Sequence, residues 1–115
     1  MNKEQEMYQL FLDKSYRTKE ELIDCLHSNN RKVRDMIHQL RAEKKLIISH
    51  SGMAGYYLGE INHPLDYQDA MRMKAETINR INSLRVILDC IEHHENKLKP
   101  QQMKLFMVRS KNDVI

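Results

Sequence analysis

Residues that break secondary structure are scarce in this sequence. Its 115 residues include only three glycines and two prolines, so the chain has little linker material and long helices are expected. It also has only two cysteines, which are too few and too far apart in sequence for a disulfide framework. A reducing compartment is therefore expected. We interpret Cys25 as a small buried residue of a helix.

Long hydrophobic runs are absent as well. No apolar stretch approaches the roughly 18 residues of a membrane span, and the amino-terminal residues MNKEQEMYQL lack the apolar centre of a signal peptide. We therefore expect a cytoplasmic protein that makes no membrane contact.

The sequence also lacks the features of an active site. It contains no nucleophile motif, no phosphate-binding glycine loop and no paired carboxylates in a predicted pocket. Cys90, His93 and His94 have the chemistry of metal ligands, but no second ligand pair at a suitable spacing accompanies them. We therefore expect no enzyme activity, no catalytic residues, no metal site and no cofactor.

Basic residues are concentrated in one stretch of the chain. The net charge is only +3, but six basic residues stand against two acidic ones between Asn29 and Lys45, and the remainder is close to neutral. A local positive field of this kind is what phosphate recognition requires, although an exposed helix face in water has the same composition. The length allows one compact domain, or a small domain with an extended element.

Two helices joined by a polar turn are predicted after a first helix at about residues 3–12. Thr18 and Glu21 form a capping box that starts the second helix, and Ser28 or Asn29 is the N-cap of the third. The third helix has apolar residues at i, i+3, i+4 and i+7, which must face the other helices: Val33, Met36, Ile37 and Leu40. Polar side chains fall on its opposite side: Arg31, Arg34, Asp35 and His38.

The pattern changes after Lys45 from the helical period to the period of two that is typical of strands. Residues 46–48 and 56–58 read as strands, and the segment from Gly52 to Gly55 can turn the chain between them. Residues 1–61 are therefore predicted to form a winged helix-turn-helix, which is mainly α with a small β-hairpin. The tip of this wing, residues 50–54, contains no lysine or arginine for the minor groove.

The second half of the chain is predicted to be one long helix over residues 62–99. Four of its apolar residues step by 3, 4 and 3 positions, the spacing of a coiled-coil seam: Ile81, Leu84, Leu88 and Ile91. Such a helix is too long to bury its stripe on a small domain, so it needs a partner helix, and we expect a homodimer. Residues 100–115 would form a short C-terminal segment and tail.

The residues that carry a family resemblance lie between positions 22 and 58. They are Leu22, Leu26, the pair Val33-Arg34, Ile37, the pair Leu40-Arg41, Ile47 to Ser49, and Gly55-Tyr56-Tyr57-Leu58. In this pattern the sequence resembles the winged helix domains of DeoR-type and biotin-repressor-type regulators, and most closely the small winged-helix proteins of phages and prophages. The resemblance covers about the first half of the chain. It implies a bacterial or phage-infected host cell.

Three positions depart from the pattern of these families. His27 stands where they usually have glycine, and Ser28 where they usually have an apolar residue. Lys44 also stands in place of a glycine at the end of the third helix. A lysine in a left-handed conformation at that position would cost about 1 kcal/mol.

The resemblance implies that the third helix enters the major groove of double-stranded DNA. Base contacts would come from its amino-terminal end and outer face, and phosphate contacts from its sides. The predicted base-contacting residues are Asn29, Asn30, Arg31, Arg34 and His38, and the predicted phosphate-contacting residues are Lys32 and Arg41. The resulting hypothesis is a dimeric, sequence-specific DNA-binding protein that regulates transcription in a phage or prophage.

An alternative hypothesis is a protein-interaction module. A minority of winged helices contact only proteins, so this chain could be an adaptor in phage replication or an inhibitor of a host factor. It would then hold its partner through the winged helix or the long helix. Binding to a replication origin is an intermediate possibility.

Overall fold

The computed structural model describes residues 2–98, 100 and 102. Within them the fold is mainly α with a small antiparallel sheet, as the sequence predicts. The strand order in the sheet is β1-β3-β2. The elements follow one another as α1 (Lys3–Phe11), β1 (Arg17–Thr18), α2 (Lys19–Leu26), α3 (Asn30–Ala42), β2 (Ile47–Ile48), β3 (Gly55–Leu58) and α4 (Pro64–Glu95).

The hydrophobic core lies among α1, α2, α3 and the hairpin β2-β3. The predicted stripe of α3 is buried throughout, and its four residues pack with apolar residues of the two preceding helices and both hairpin strands. The complete buried cluster is Met7, Phe11, Leu22, Leu26, Val33, Met36, Ile37, Leu40, Ile47 and Leu58. The order of these elements along the chain is the one expected of a winged helix-turn-helix.

A third strand was not predicted. The segment before α2 was expected to be only an extended link, but Arg17 and Thr18 pair with Tyr56 and Gly55 of β3. The strand approaches so closely that a Cβ on Gly55 would lie 2.2 Å from the carbonyl oxygen of Arg17. Gly55 is therefore required by the close approach of two backbones.

The start of α2 is capped differently from the prediction. The backbone N–H of Glu21 donates to the Thr18 hydroxyl oxygen, as expected. However, the Glu21 carboxylate accepts a hydrogen bond from that same hydroxyl instead of from the Thr18 backbone. A reciprocal capping box is found at α1, between Asn2 and Gln5.

The position of Cys25 corrects a second expectation. Its side chain is exposed, because the buried stripe of α2 runs through Leu22 and Leu26 with Ile23 packed on one flank. Cys25 lies on the other flank of that stripe.

The turns at both ends of α3 have the strain expected from their sequence. His27 has a φ of 48° and Lys44 a φ of 68°, the left-handed region that favours glycine. The side-chain oxygen of Ser28 is buried without a hydrogen-bond partner in the described part of the chain. This agrees with the expectation that its position normally holds an apolar residue.

Helix α4 begins at Pro64 and ends at Glu95, within the predicted range of residues 62–99. Proline is favoured at a first helical position because the N–H that it lacks would have no partner within the helix. The chain divides into two compact units, Met1–Thr77 and Ile78–Ile115. The first unit thus includes the beginning of α4, whereas the sequence places a boundary near residue 61. No helix among the described residues is long and apolar enough to cross a membrane.

Replacing Lys44 with glycine should stabilise the protein. Glycine adopts a positive φ without steric cost, and the gain should be several tenths of a kcal/mol to about 1 kcal/mol after the larger entropy of the unfolded chain is deducted. Urea unfolding of Lys44→Gly measures this change. The control is Glu43→Gly at the preceding residue, which has a φ of −82° and should lose stability. If both substitutions destabilise equally, the left-handed turn is not a source of strain.

Candidate nucleic-acid interface

The outer face of α3 carries a row of basic side chains. Arg31, Arg34 and His38 are separated by three and four positions, so they lie along one side of the helix. All three are exposed. None has a hydrogen bond or an ion pair within residues 2–98, although Asp35 follows Arg31 by four positions. Their hydrogen-bond donors therefore face solvent, as the sequence predicts.

Two further predicted residues lie near the amino-terminal end of α3. Asn30 is the first residue of the helix, and Lys32 lies to the side of the basic row. Both side chains are exposed. A lysine at this position can reach a phosphate that flanks a groove, so its placement is compatible with the predicted phosphate contact.

Asn29 is the N-cap of α3, which confirms one of the two cap residues that the sequence predicts. Its side-chain oxygen accepts a hydrogen bond of 3.0 Å from the backbone N–H of Lys32, which makes it the N-cap of α3. A bidentate contact to adenine requires both the oxygen and the nitrogen of an asparagine amide. The cap holds the amide oxygen at the end of the helix, so a contact with adenine would have to share that oxygen, and the predicted DNA contact of Asn29 stays a prediction.

Arg41 is also engaged inside the fold. Its Nε donates to the carbonyl oxygen of Ile47 over 2.9 Å, and its Nη2 lies 3.5 Å from the Sδ of Met73. The guanidinium thus links the end of α3 to β2 and to α4. Arg41 therefore helps to position the wing, and its predicted contact with a DNA phosphate stays a prediction.

The wing is tied to α4 by a hydrogen-bonded group around Asp69. One carboxylate oxygen lies 2.9 Å from Nε2 of His50, and the other accepts a bond of 2.7 Å from the Tyr57 hydroxyl. The backbone N–H of Gly52 donates to Nδ1 of the same imidazole. Since Nδ1 accepts, the ring proton lies on Nε2 and is donated to Asp69.

These bonds shift the pKa values of both acids. The hydrogen bond from His50, followed by the one from Tyr57, lowers the pKa of Asp69 below that of a free aspartate. Burial, followed by the hydrogen bond to Asp69, raises the pKa of the Tyr57 hydroxyl. Asp69 is therefore ionised and Tyr57 neutral at neutral pH, and both states favour the observed bonds.

A second contact fixes the tip of the wing. The backbone N–H and the hydroxyl of Ser51 both donate to the carboxylate of Glu76. These bonds lower the pKa of Glu76, with the hydroxyl making the largest contribution. Arg72 lies one turn earlier on α4, 3.8 Å from Glu76, and its guanidinium would be 3.1 Å from a Cβ on Gly52. A basic side chain thus reaches the wing tip from α4.

The two tyrosines of β3 have different surroundings. Tyr56 packs against the core, whereas Tyr57 points to Asp69 and is tied to α4 through its hydroxyl. Neighbouring side chains alternate along a strand, and the hydroxyl of Tyr57 has a partner on α4 that local sequence could not reveal.

The residues of α4 that hold the wing were not predicted from the sequence. A signal was available in their spacing, because Asp66, Asp69 and Glu76 are three and seven positions apart and share one face of α4. Asp66 accepts the backbone N–H of Glu60 at the end of the hairpin. Each of these three carboxylates therefore accepts hydrogen bonds from the hairpin or from the residues that follow it.

Comparisons with protein-family models, with curated proteins and with solved structures give no match to this chain. Any inference about its function must therefore start from its own side chains.

Replacing Asp69 with asparagine should weaken the fold in a pH-dependent way. The pKa of Asp69 is lowered in the folded state, so its contribution to stability is present above about pH 4 and is lost as pH falls through the folded value. Because the side chain is 38% exposed and water screens its interactions, we expect a loss below about 1 kcal/mol at pH 7. Denaturant unfolding of Asp69→Asn and the native protein at pH 7 and near pH 3 measures the difference. Asp35→Asn is the control, since Asp35 is exposed and should give little difference at either pH. A loss in Asp69→Asn that is equally large at both pH values would contradict the assigned role.

Proposed function

We propose that this protein binds double-stranded DNA with sequence specificity as a dimer, and that it regulates transcription in the manner of phage and prophage winged-helix proteins. The observation that carries the proposal is the basic row of Arg31, Arg34 and His38 on the outer face of α3. Exposed arginines without acidic partners keep their donors free for guanine edges or phosphates. The apolar stripe on the opposite side holds the helix in place.

The length of this basic row indicates that more than one copy of the chain is needed to recognise a specific DNA site. From Arg31 to His38 the helix rises about 10 Å, which spans about three base pairs of B-DNA. Three base pairs give little specificity, so a single recognition helix would bind weakly. Two copies held together raise the effective concentration of the second helix once the first has bound. The expected site is an inverted repeat with half-sites about one helical turn apart, or a small multiple of it.

The distribution of charge on the remaining surface indicates which side chains would contact the DNA phosphates. Three acidic residues on α2 are exposed, which makes this helix a poor phosphate contact: Glu20, Glu21 and Asp24. Lys32 flanks the basic row, and Arg72 reaches the wing tip, whose own residues 50–54 contain no lysine or arginine. We therefore propose Lys32 and Arg72 as phosphate contacts beside the groove.

Replacing Arg34 with glutamine should weaken binding to the preferred duplex by about 1 to 3 kcal/mol if the side chain reads a base edge. The preference for one particular base should become weaker at one position of the DNA site. Folding stability should be unchanged, because Arg34 is exposed and unpaired in the described structure. The duplex is first selected from a random pool, and affinity is then measured by fluorescence anisotropy at two salt concentrations.

The control is Lys97→Gln, which removes the same charge from an exposed residue beyond α4 and should leave affinity nearly unchanged. The affinity of the native protein should fall steeply as salt rises, since phosphate contacts release counterions. Equal binding by Arg34→Gln and the native protein would reject α3 as the reading helix. If no duplex is bound in a salt-dependent way, the protein-interaction hypothesis takes its place.

A further inference from the structure

The part of α4 in the second unit carries an unusual number of exposed apolar side chains. Between Ile78 and Ile91, seven isoleucine, leucine and valine side chains have exposed fractions from 45% to 69%. The four seam residues Ile81, Leu84, Leu88 and Ile91 are among them, and the neighbouring Ile78 and Ile87 widen the face. Monomeric proteins rarely leave a continuous apolar surface of this kind uncovered.

We propose that this face is covered by a second copy of the chain and that the two α4 helices run antiparallel. The proposal rests on the dimeric function proposed above, and it adds the orientation of the pair. Two features of the segment from Ile78 to Glu95 support it: the symmetry of its seam and the asymmetry of its charge.

The seam is symmetric about Val86. Its steps of 3, 4 and 3 positions read the same in both directions. Turning one helix end to end therefore places Ile81 level with the partner's Ile91, and Leu84 level with the partner's Leu88. All four layers then contain two branched apolar side chains, which is the arrangement that a helix pair needs for close packing. A parallel pair would also have four layers, so the spacing alone does not choose between the two orientations.

The charges distinguish between the orientations. The amino-terminal half of the segment, residues 78–86, contains Arg80 and Arg85 and no acidic residue. The carboxyl-terminal half, residues 87–95, contains Asp89, Glu92 and Glu95 and no lysine or arginine. All five side chains are exposed, and none has an ion-pair partner in the described part of the chain.

An antiparallel pair lays the positive half of each helix along the negative half of the other. A parallel pair lays like charges along like charges, within the roughly 8 Å over which charges act at physiological salt. Attraction in one orientation and repulsion in the other therefore favour the antiparallel pair.

Disulfide cross-linking between mixed variants tests the orientation directly. Two full-length variants are made, Ile81→Cys and Ile91→Cys, each in a background where the exposed native cysteines are replaced by Cys25→Ser and Cys90→Ser. One variant carries a size tag, and the two are mixed and mildly oxidised. The antiparallel pair predicts a disulfide between the two different variants and little between identical ones. Disulfides within each variant alone would overturn the proposal in favour of a parallel pair.

Charge reversal provides a second test that uses no cysteine. Arg80→Glu with Arg85→Glu makes both halves negative, and it should weaken the antiparallel dimer about tenfold in sedimentation equilibrium. Adding Asp89→Lys, Glu92→Lys and Glu95→Lys exchanges the two signs and should restore the native dissociation constant. A parallel dimer would respond little to either set, because each half would still face a half of its own sign.

A native protein that is still monomeric at about 0.1 mM would also overturn the proposal, because its dimer would then be held by less than about 5.5 kcal/mol. None of these measurements involves DNA. The orientation of the dimer and the DNA-binding function can therefore fail independently, and their failures are distinguishable.

Discussion

The burial of the apolar stripe of α3 is the constraint on which the rest of this structure depends. Val33, Met36, Ile37 and Leu40 all lie in the core, and truncating one such side chain typically costs 2 to 5 kcal/mol. That cost is a large part of the 5 to 15 kcal/mol by which a domain of this kind is stable. The rotation of α3 about its axis is therefore fixed by its inner face. Because the helical period is 3.6 residues, the same constraint decides that Arg31, Arg34 and His38 face outward.

The wing is held by a weaker and more polar set of contacts. Asp69 and Glu76 on α4 bind His50, Tyr57 and Ser51 through hydrogen bonds at partly exposed sites, where water competes for the same donors and acceptors. Such contacts add little to total stability compared with the core. Their effect is on position, because they fix the hairpin against the beginning of α4. They also place Arg72 beside a wing tip that has no lysine or arginine of its own.

The difference between the apolar core and the polar contacts also decides what could be predicted from the sequence. Positions with a clear period were predicted well: the stripe of α3, the hairpin strands and the long helix. The left-handed turns at His27 and Lys44 were also foreseen, since glycine is so strongly preferred there. The polar side chains were harder to predict. The hydrogen bonds by which Arg41 links α3 to β2 and α4, for example, were not predicted. The partner of Tyr57 lies 12 residues away on another element, so no local pattern could identify it.

The central claim of this account is that the outer face of α3 contacts DNA. The most direct test is an amide chemical-shift titration of the uniformly ¹⁵N-labelled full chain with a duplex selected from a random pool. We expect the largest changes in amide chemical shift at residues 30–38 and smaller ones at the wing tip, residues 50–54. Residues 81–91 should change little. Changes confined to residues 78–95, or no changes at all with a saturating amount of duplex, would contradict it.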